Sequence, residues 1–149
     1  MKLIIFTSIL VFLGGCSIGP QTKQELYKSH GYLEKRCSQK NHVDTYNMLL
    51  HNMNWCIAGK KTGTTIVGNS PVTWSSKVTI QGDFNPSESS TVSVYVAGGP
   101  GHYFYTTIVD ISTSENCKSD LSIYGWSSMN KNDLNLIDRW LSNNDTCID

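Results

Sequence analysis

The chain has no excess of either charge. Twelve lysines and arginines balance twelve aspartates and glutamates over 149 residues. Both signs are scattered, so the basic stripe by which proteins hold nucleic acid or an anionic surface is missing. Apolar runs long enough to cross a bilayer are also missing: the stretch from Leu3 to Leu13 is interrupted by Thr7 and Ser8, well short of the roughly 20 residues a spanning helix needs. There is no C-x-x-C, and His30, His42, His51 and His102 share no ligand spacing with the cysteines, so no metal or other cofactor is expected. G-x-S-x-G, G-x-x-x-x-G-K-[ST] and a strand-to-helix G-x-G-x-x-G are absent too, and with them the usual signs of a nucleophile elbow or a phosphate cradle. No catalytic residue can be named from a motif.

What is present begins with an address. Met1 and Lys2 give a positive start, the apolar run follows, and small residues lead to Cys16, which is the anatomy of a signal peptide. Leu13-Gly14-Gly15-Cys16 resembles the lipobox of bacterial lipoproteins. The resemblance covers residues 1–16 and implies cleavage before Cys16, a diacylglycerol on its sulfur and a further, palmitate-type acyl chain on its new amino group. In that family an aspartate after the cysteine favours the inner membrane. Ser17 stands here, which implies delivery to the outer membrane of a Gram-negative cell, on its periplasmic side. One acyl chain anchors weakly and two or more anchor stably, so the membrane is a partner through the N-terminal lipid.

The reading divides the chain into a leader (1–15), a lipidated tether (16–21, with Gly19 and Pro20) and one domain (22–149). Loss of Lys2 with the leader leaves eleven basic against twelve acidic residues, a net charge of −1. Besides Cys16, the cysteines are Cys37, Cys56, Cys117 and Cys147. An even number in an oxidising compartment implies two disulfides. Three connectivities are open, and sequential pairing, Cys37 with Cys56 and Cys117 with Cys147, is preferred because each pair lies in its own half.

Periodicity supplies the architecture. Thr22 is placed to cap a short helix holding Glu25, Leu26 and Tyr27 that Gly31 ends or interrupts. Tyr46, Leu49, Leu50, Met53 and Ile57 follow helical spacing, with Asn41 or Asp44 to start the helix and Gly59 to close it. From Thr62 the period changes to two. Short strands are expected at Thr64 to Val67, around Val78 and Ile80, across Val92, Val94 and Val96, and at Leu121 to Tyr124. His102 to Ile111 is apolar on both faces, with Tyr103, Tyr105, Val109 and Ile111 on one and Phe104 and Ile108 on the other. Such a pattern belongs to a central strand covered on both sides. Asn130 and Asp133 begin a last helix with Leu134, Ile137, Trp140 and Leu141 inward. The expected class is α+β: an antiparallel sheet of four to five strands flanked by N-terminal and C-terminal helices.

Function is less legible. Lys61-Thr62-Gly63 resembles the K-T-G of penicillin-binding proteins and serine β-lactamases, but Ser128-Met129-Asn130-Lys131 and Ser142-Asn143-Asn144 follow it, in reverse of that family's order, and the chain is too short for that fold. An ordinary solvated turn is the expectation there. Asp83, Glu88, Asp110 and Asp120 are carboxylates that a glycan hydrolase would need in pairs, and His102 beside the Gly98 to Gly101 turn is the histidine to inspect. Tyr95, Tyr103, Phe104, Tyr105, Tyr124, Trp126 and Trp74 are expected mostly in the core. The leading expectation is a non-enzymatic binding or adaptor module with an envelope protein or cell-wall partner, carrying an exposed apolar patch away from the tether. A small cell-wall hydrolase, or an accessory subunit of an envelope or secretion assembly, is the alternative.

Overall fold

The computed structural model describes residues 19–68, 70–98, 103–127 and 131–147; Cys16 and His102, and with them the anchor and the histidine singled out above, lie outside these. The elements run α1 (Lys23–Ser29), β1 (Tyr32–Ser38), α2 (His42–Cys56), β2 (Gly59–Val67), β3 (Ser70–Asp83), β4 (Ser89–Ala97), β5 (Tyr103–Thr113), β6 (Ser119–Gly125) and α3 (Lys131–Leu141). The class is α+β, with an antiparallel sheet of six strands in the order β1-β6-β5-β4-β3-β2. The strand number therefore exceeds the expected four to five.

The additional strand is β1. It was hidden because its half-buried positions are Tyr32, Glu34 and Arg36 while Leu33 faces solvent, so apolar alternation is inverted. Charged residues on an edge strand discourage pairing with other chains. β1 pairs with β6 from Tyr32↔Gly125 to Ser38↔Ser119, and Arg36 bridges to α3, its Nε donating to Asp138 Oδ1 at 2.7 Å.

β2 to β6 form a meander, and α2 carries the chain from the β1 edge to the β2 edge across one face. Asn41 is its cap: the side chain accepts from the Asp44 amide and donates back to the Asp44 carboxylate, both at 2.8 Å. The helix ends at Cys56. Gly59 has the positive φ that favours glycine, 122°, but uses it to open β2 rather than to close α2. With α3 alongside, α2 buries Tyr46, Leu49 and Met53 against Val92, Val94, Val109, Ile111, Leu121 and Ile123, and α3 adds Ile137 and Trp140. Each fully buried aliphatic side chain contributes roughly 1.5 to 3 kcal/mol.

The other face is covered over β5 and β6 by α1. Thr22 caps it, accepting from the Glu25 amide at 3.1 Å, while the Gln21 amide donates to Glu25 at 2.7 Å. Lys23 and Tyr27, one turn apart, reach into the sheet: Lys23 pairs with Asp83, and the Tyr27 hydroxyl donates to Asp110 at 2.8 Å. Leu26 and Ile108 are fully buried. β5 is thus a central strand covered on both sides, as its composition implied. A bulge leaves Thr106 extra between the pairs Val94↔Thr107 and Tyr95↔Tyr105. It moves Tyr105 to the face of Tyr95, opposite Val109 and Ile111, which corrects the face assignment read from strict alternation.

The disulfides join Cys37 to Cys117 and Cys56 to Cys147, not the sequential pairs. β1 lies beside β6, so Cys37 stands next to the turn that enters β6, and the tail after α3 folds back to the end of α2. The closed loops span 80 and 91 residues, for which the chain-entropy model gives about 4.5 kcal/mol each.

Candidate functional site

Two exposed regions stand out among the described residues. The first is an open groove along the outer side of α2, about 410 Å³ in volume, lined by Lys40, Asp44, Asn47, Met48, His51, Asn52 and Asp145. Its second wall exists because α3 is stopped by Asn143, whose positive φ of 61° and amide bond to Trp140 O at 3.1 Å turn the chain back. The S-x-N at residues 142–144 is therefore part of a helix cap. The returning strand of chain is held by Asn52 donating to Asp145 at 2.9 Å, by Lys40 donating to Asn143 at 2.7 Å, and by Cys56–Cys147. The groove is open, polar and carries both signs of charge. Nothing local in the sequence marked it, because its walls come from segments about a hundred residues apart.

The second region is an arm. β4 pairs with β3 only from Lys77 onward, so Ser70 to Ser76 and their partners in β2 form a two-stranded ribbon projecting beyond the sheet. Residues 62–76 carry no charged side chain. Ile66 is 74% exposed, Trp74 48% and Val72 45%. Lys61-Thr62-Gly63 lies within β2, so the expected solvated turn is a strand. Trp74 lies across Gly63, where a Cβ would meet the indole at 2.4 Å. At the root, Lys60 and Lys77 stand directly opposite one another beside Ser75 and Ser76, and no carboxylate among the described residues pairs with them.

The carboxylates considered for hydrolysis are dispersed, and three of the four have hydrogen-bonding partners. Asp83 pairs with Lys23, which holds its carboxyl below the usual range. Asp110 accepts from Tyr27 and, at 3.0 Å, from Thr91. Glu88 accepts from Asn85 at 3.2 Å, and Asp120 sits opposite Cys37 on β6. The acid that burial does perturb is Asp133, which sequence reading placed only as a helix-start residue. Its carboxyl is raised by desolvation and partly offset by the Thr107 hydroxyl, which donates at 2.7 Å. Tyr32, in the same corner, is raised to about 12 by burial and then by Asp133. Its ring covers Gly125, where a Cβ would lie 1.9 Å away. This corner is packed beneath the start of α3 and is a structural knot.

None of the seven aromatics expected mostly in the core is buried. Trp74 and Tyr103 are exposed, and Tyr95, Phe104, Tyr105, Tyr124 and Trp126 are half-buried; the buried aromatics are Tyr46 and Trp140. Among the described residues, no group of three or more histidines, cysteines, aspartates or glutamates is placed to hold a metal ion, and no helix is long and apolar enough to cross a membrane. Comparison with protein-family models, with curated proteins and with solved structures finds no match to this chain.

Proposed function

We propose that this protein is a lipid-anchored module of the bacterial envelope, held at the periplasmic side of the outer membrane through Cys16, that works by binding an envelope protein or cell-wall partner without turnover. The observation that supports it is the α2 groove: open, polar and with its second wall tied to α2 by a disulfide, on the side of α2 away from the sheet. Of the four acids considered for hydrolysis, Asp83 and Asp110 are engaged in joining α1 to the sheet. A groove with fixed walls offers binding without the cost of ordering them.

Two measurements test the reading. Cys16→Ala is expected to release the protein from membranes into the soluble fraction; retention of the variant on membranes removes the anchor. Mild-detergent purification of the intact protein is expected to recover a stoichiometric envelope partner, lost on charge reversal at Asp44. Recovery of lipid alone, under several extraction conditions, argues against a binding role. The hydrolase alternative keeps one observation in its favour, since Asp44, Asp145 and His51 line the same groove. It requires release of soluble fragments from cell-wall material that Asp145→Asn abolishes.

A further inference from the structure

We infer that the β2–β3 arm is a second membrane contact, its outer half entering the headgroup interface of the bilayer that holds the lipid on Cys16. This rests on the anchor proposed above. The apolar patch expected away from the tether lies at the tether's own end.

Pro20 is buried, and its carbonyl accepts from the Tyr105 amide at 2.8 Å, while Gly19 packs on the Phe104 ring. The chain is therefore fixed to the start of β5 three residues after Cys16, so the stretch between the lipid and the fold is shorter than residues 16–21. Lys77, Ala97 and Tyr103 lie in one row across β3, β4 and β5, so the arm leaves the sheet from this same end. Trp126, whose amide donates to Thr106 O, is here, and so is Trp55, 78% exposed in the last turn of α2.

Lengths then decide. Three residues of tether reach at most about 11 Å. The seven residues of β3 beyond Lys77 extend about 23 Å along the strand axis. A headgroup layer is only about 5 to 8 Å deep on each side of the hydrocarbon. An arm twice as long as the tether, projecting from the tethered end, meets the bilayer; its excess of about 12 Å exceeds the depth of the headgroup layer, so the arm, kept extended by its pairing with β2, lies inclined within that layer.

Composition is graded to match. The outer rungs hold Ile66, Pro71 and Val72 among uncharged threonines and serines, Trp74 follows opposite Gly63, Thr62 and Ser75 come next, and the root holds Lys60, Lys61 and Lys77. Tryptophan favours the membrane interface. Lysines about 10 Å further out lie where the phosphates of anionic lipids act; Lys60 opposite Lys77, an unfavourable pair by itself, gains from such an anion. Among the described residues both edges of the arm are unpaired beyond Lys77, and bare backbone groups do not enter hydrocarbon. The contact is interfacial, not spanning.

The test uses the lipidated protein purified from membranes and reconstituted in phosphatidylethanolamine/phosphatidylglycerol vesicles, with and without brominated acyl chains. Brominated lipid is expected to quench tryptophan emission, and Trp74→Phe to remove more than half of that quenching. Ile66→Asp, which alters no buried residue, is expected to lower it as well. A protein that floats with vesicles while Trp74→Phe leaves quenching unchanged overturns the arm contact and leaves the anchor standing. A protein that does not float with vesicles defeats the anchor, and the arm contact with it. Cross-linking that joins arm to arm or arm to another protein, without quenching, assigns the arm to a protein partner and overturns the lipid contact.

Discussion

Strand β3 passes through two environments in fourteen residues. From Lys77 to Asp83 it is flanked by β2 and β4 for part of its course and lies under α2, with Val78 in the core cluster. From Ser70 to Ser76 it has one neighbour and both faces in the open. Both halves are paired strand, and the ring laid over a cross-strand glycine in the arm, Trp74 on Gly63, has its counterpart in the body between β1 and β6, where Tyr32 lies on Gly125. Local geometry is therefore the same, and what differs is the burial around it. The body is held by apolar contact and disulfides, whereas the arm is held by backbone pairing, a Thr64–Thr73 hydroxyl contact at 3.4 Å and the Trp74 indole on Gly63.

The largest expected effect falls on the body's cross-links. Replacing Cys56 and Cys147 together by serine is expected to lower stability by about 4.5 kcal/mol, read by urea unfolding, and to loosen the α2 groove. Non-reducing peptide mapping that returned Cys37 joined to Cys56 would contradict the placement of β1 beside β6. Next comes a matched pair of truncations. Ile137→Ala, in the fully buried part of α3, is expected to cost about 2 to 5 kcal/mol, and Ile66→Ala about 0.5 kcal/mol or less. Equal losses would mean that the arm is packed against something in the isolated protein.

The glycines sharpen the same contrast. An added methyl at Gly125 meets a ring confined beneath α3, so Gly125→Ala is expected to cost about 1 to 3 kcal/mol. At Gly63 the indole can swing aside, and Gly63→Ala is expected to stay within about 0.5 kcal/mol. Thermal melts of both variants, each beside the parent, check this.

The smallest effect is a pH dependence confined to the body. Asp133 is held above the ordinary carboxylate range by burial, so the folded state binds its proton more tightly than the unfolded state does. Its contribution favours folding in acid and is lost as pH rises from about 4 through the raised value. Asp133→Asn is expected to flatten that loss and to leave the protein at least as stable at pH 7, measured by urea titrations at pH 4 and 7. A steeper dependence in the variant would show that the carboxylate is stabilised at the start of α3.

The helices were legible because each carries its evidence locally. Thr22 caps α1 as read, Asn41 is one of the two caps proposed for α2, and the stripe of Leu134, Ile137 and Trp140 needs only helical spacing to be seen. β4, β5 and β6 were legible from alternating valines and isoleucines. β1 was not, since a half-buried edge strand needs no apolar alternation. Nor was the full length of β2 and β3, whose Thr- and Ser-rich arm has no buried face to leave a pattern. The candidate groove was invisible for a further reason: Asp44 and Asp145 meet only because an αL asparagine reverses the chain and a disulfide pins it.

By itself, then, the amino-acid order determined the α+β class, two of the helix starts, the central place of β5 and the presence of four cysteines suited to two bridges. Those features depend on neighbours within a turn or a strand, where sterics and hydrophobic period act directly. Tertiary structure alone decided which cysteines join, where β1 pairs, which face Tyr105 takes after the bulge, and that Tyr103, Trp126 and the root of the arm share the end of the sheet where Pro20 docks. These are contacts between residues tens of positions apart, and loop-closure entropy depends on their separation while leaving no local mark of the partner.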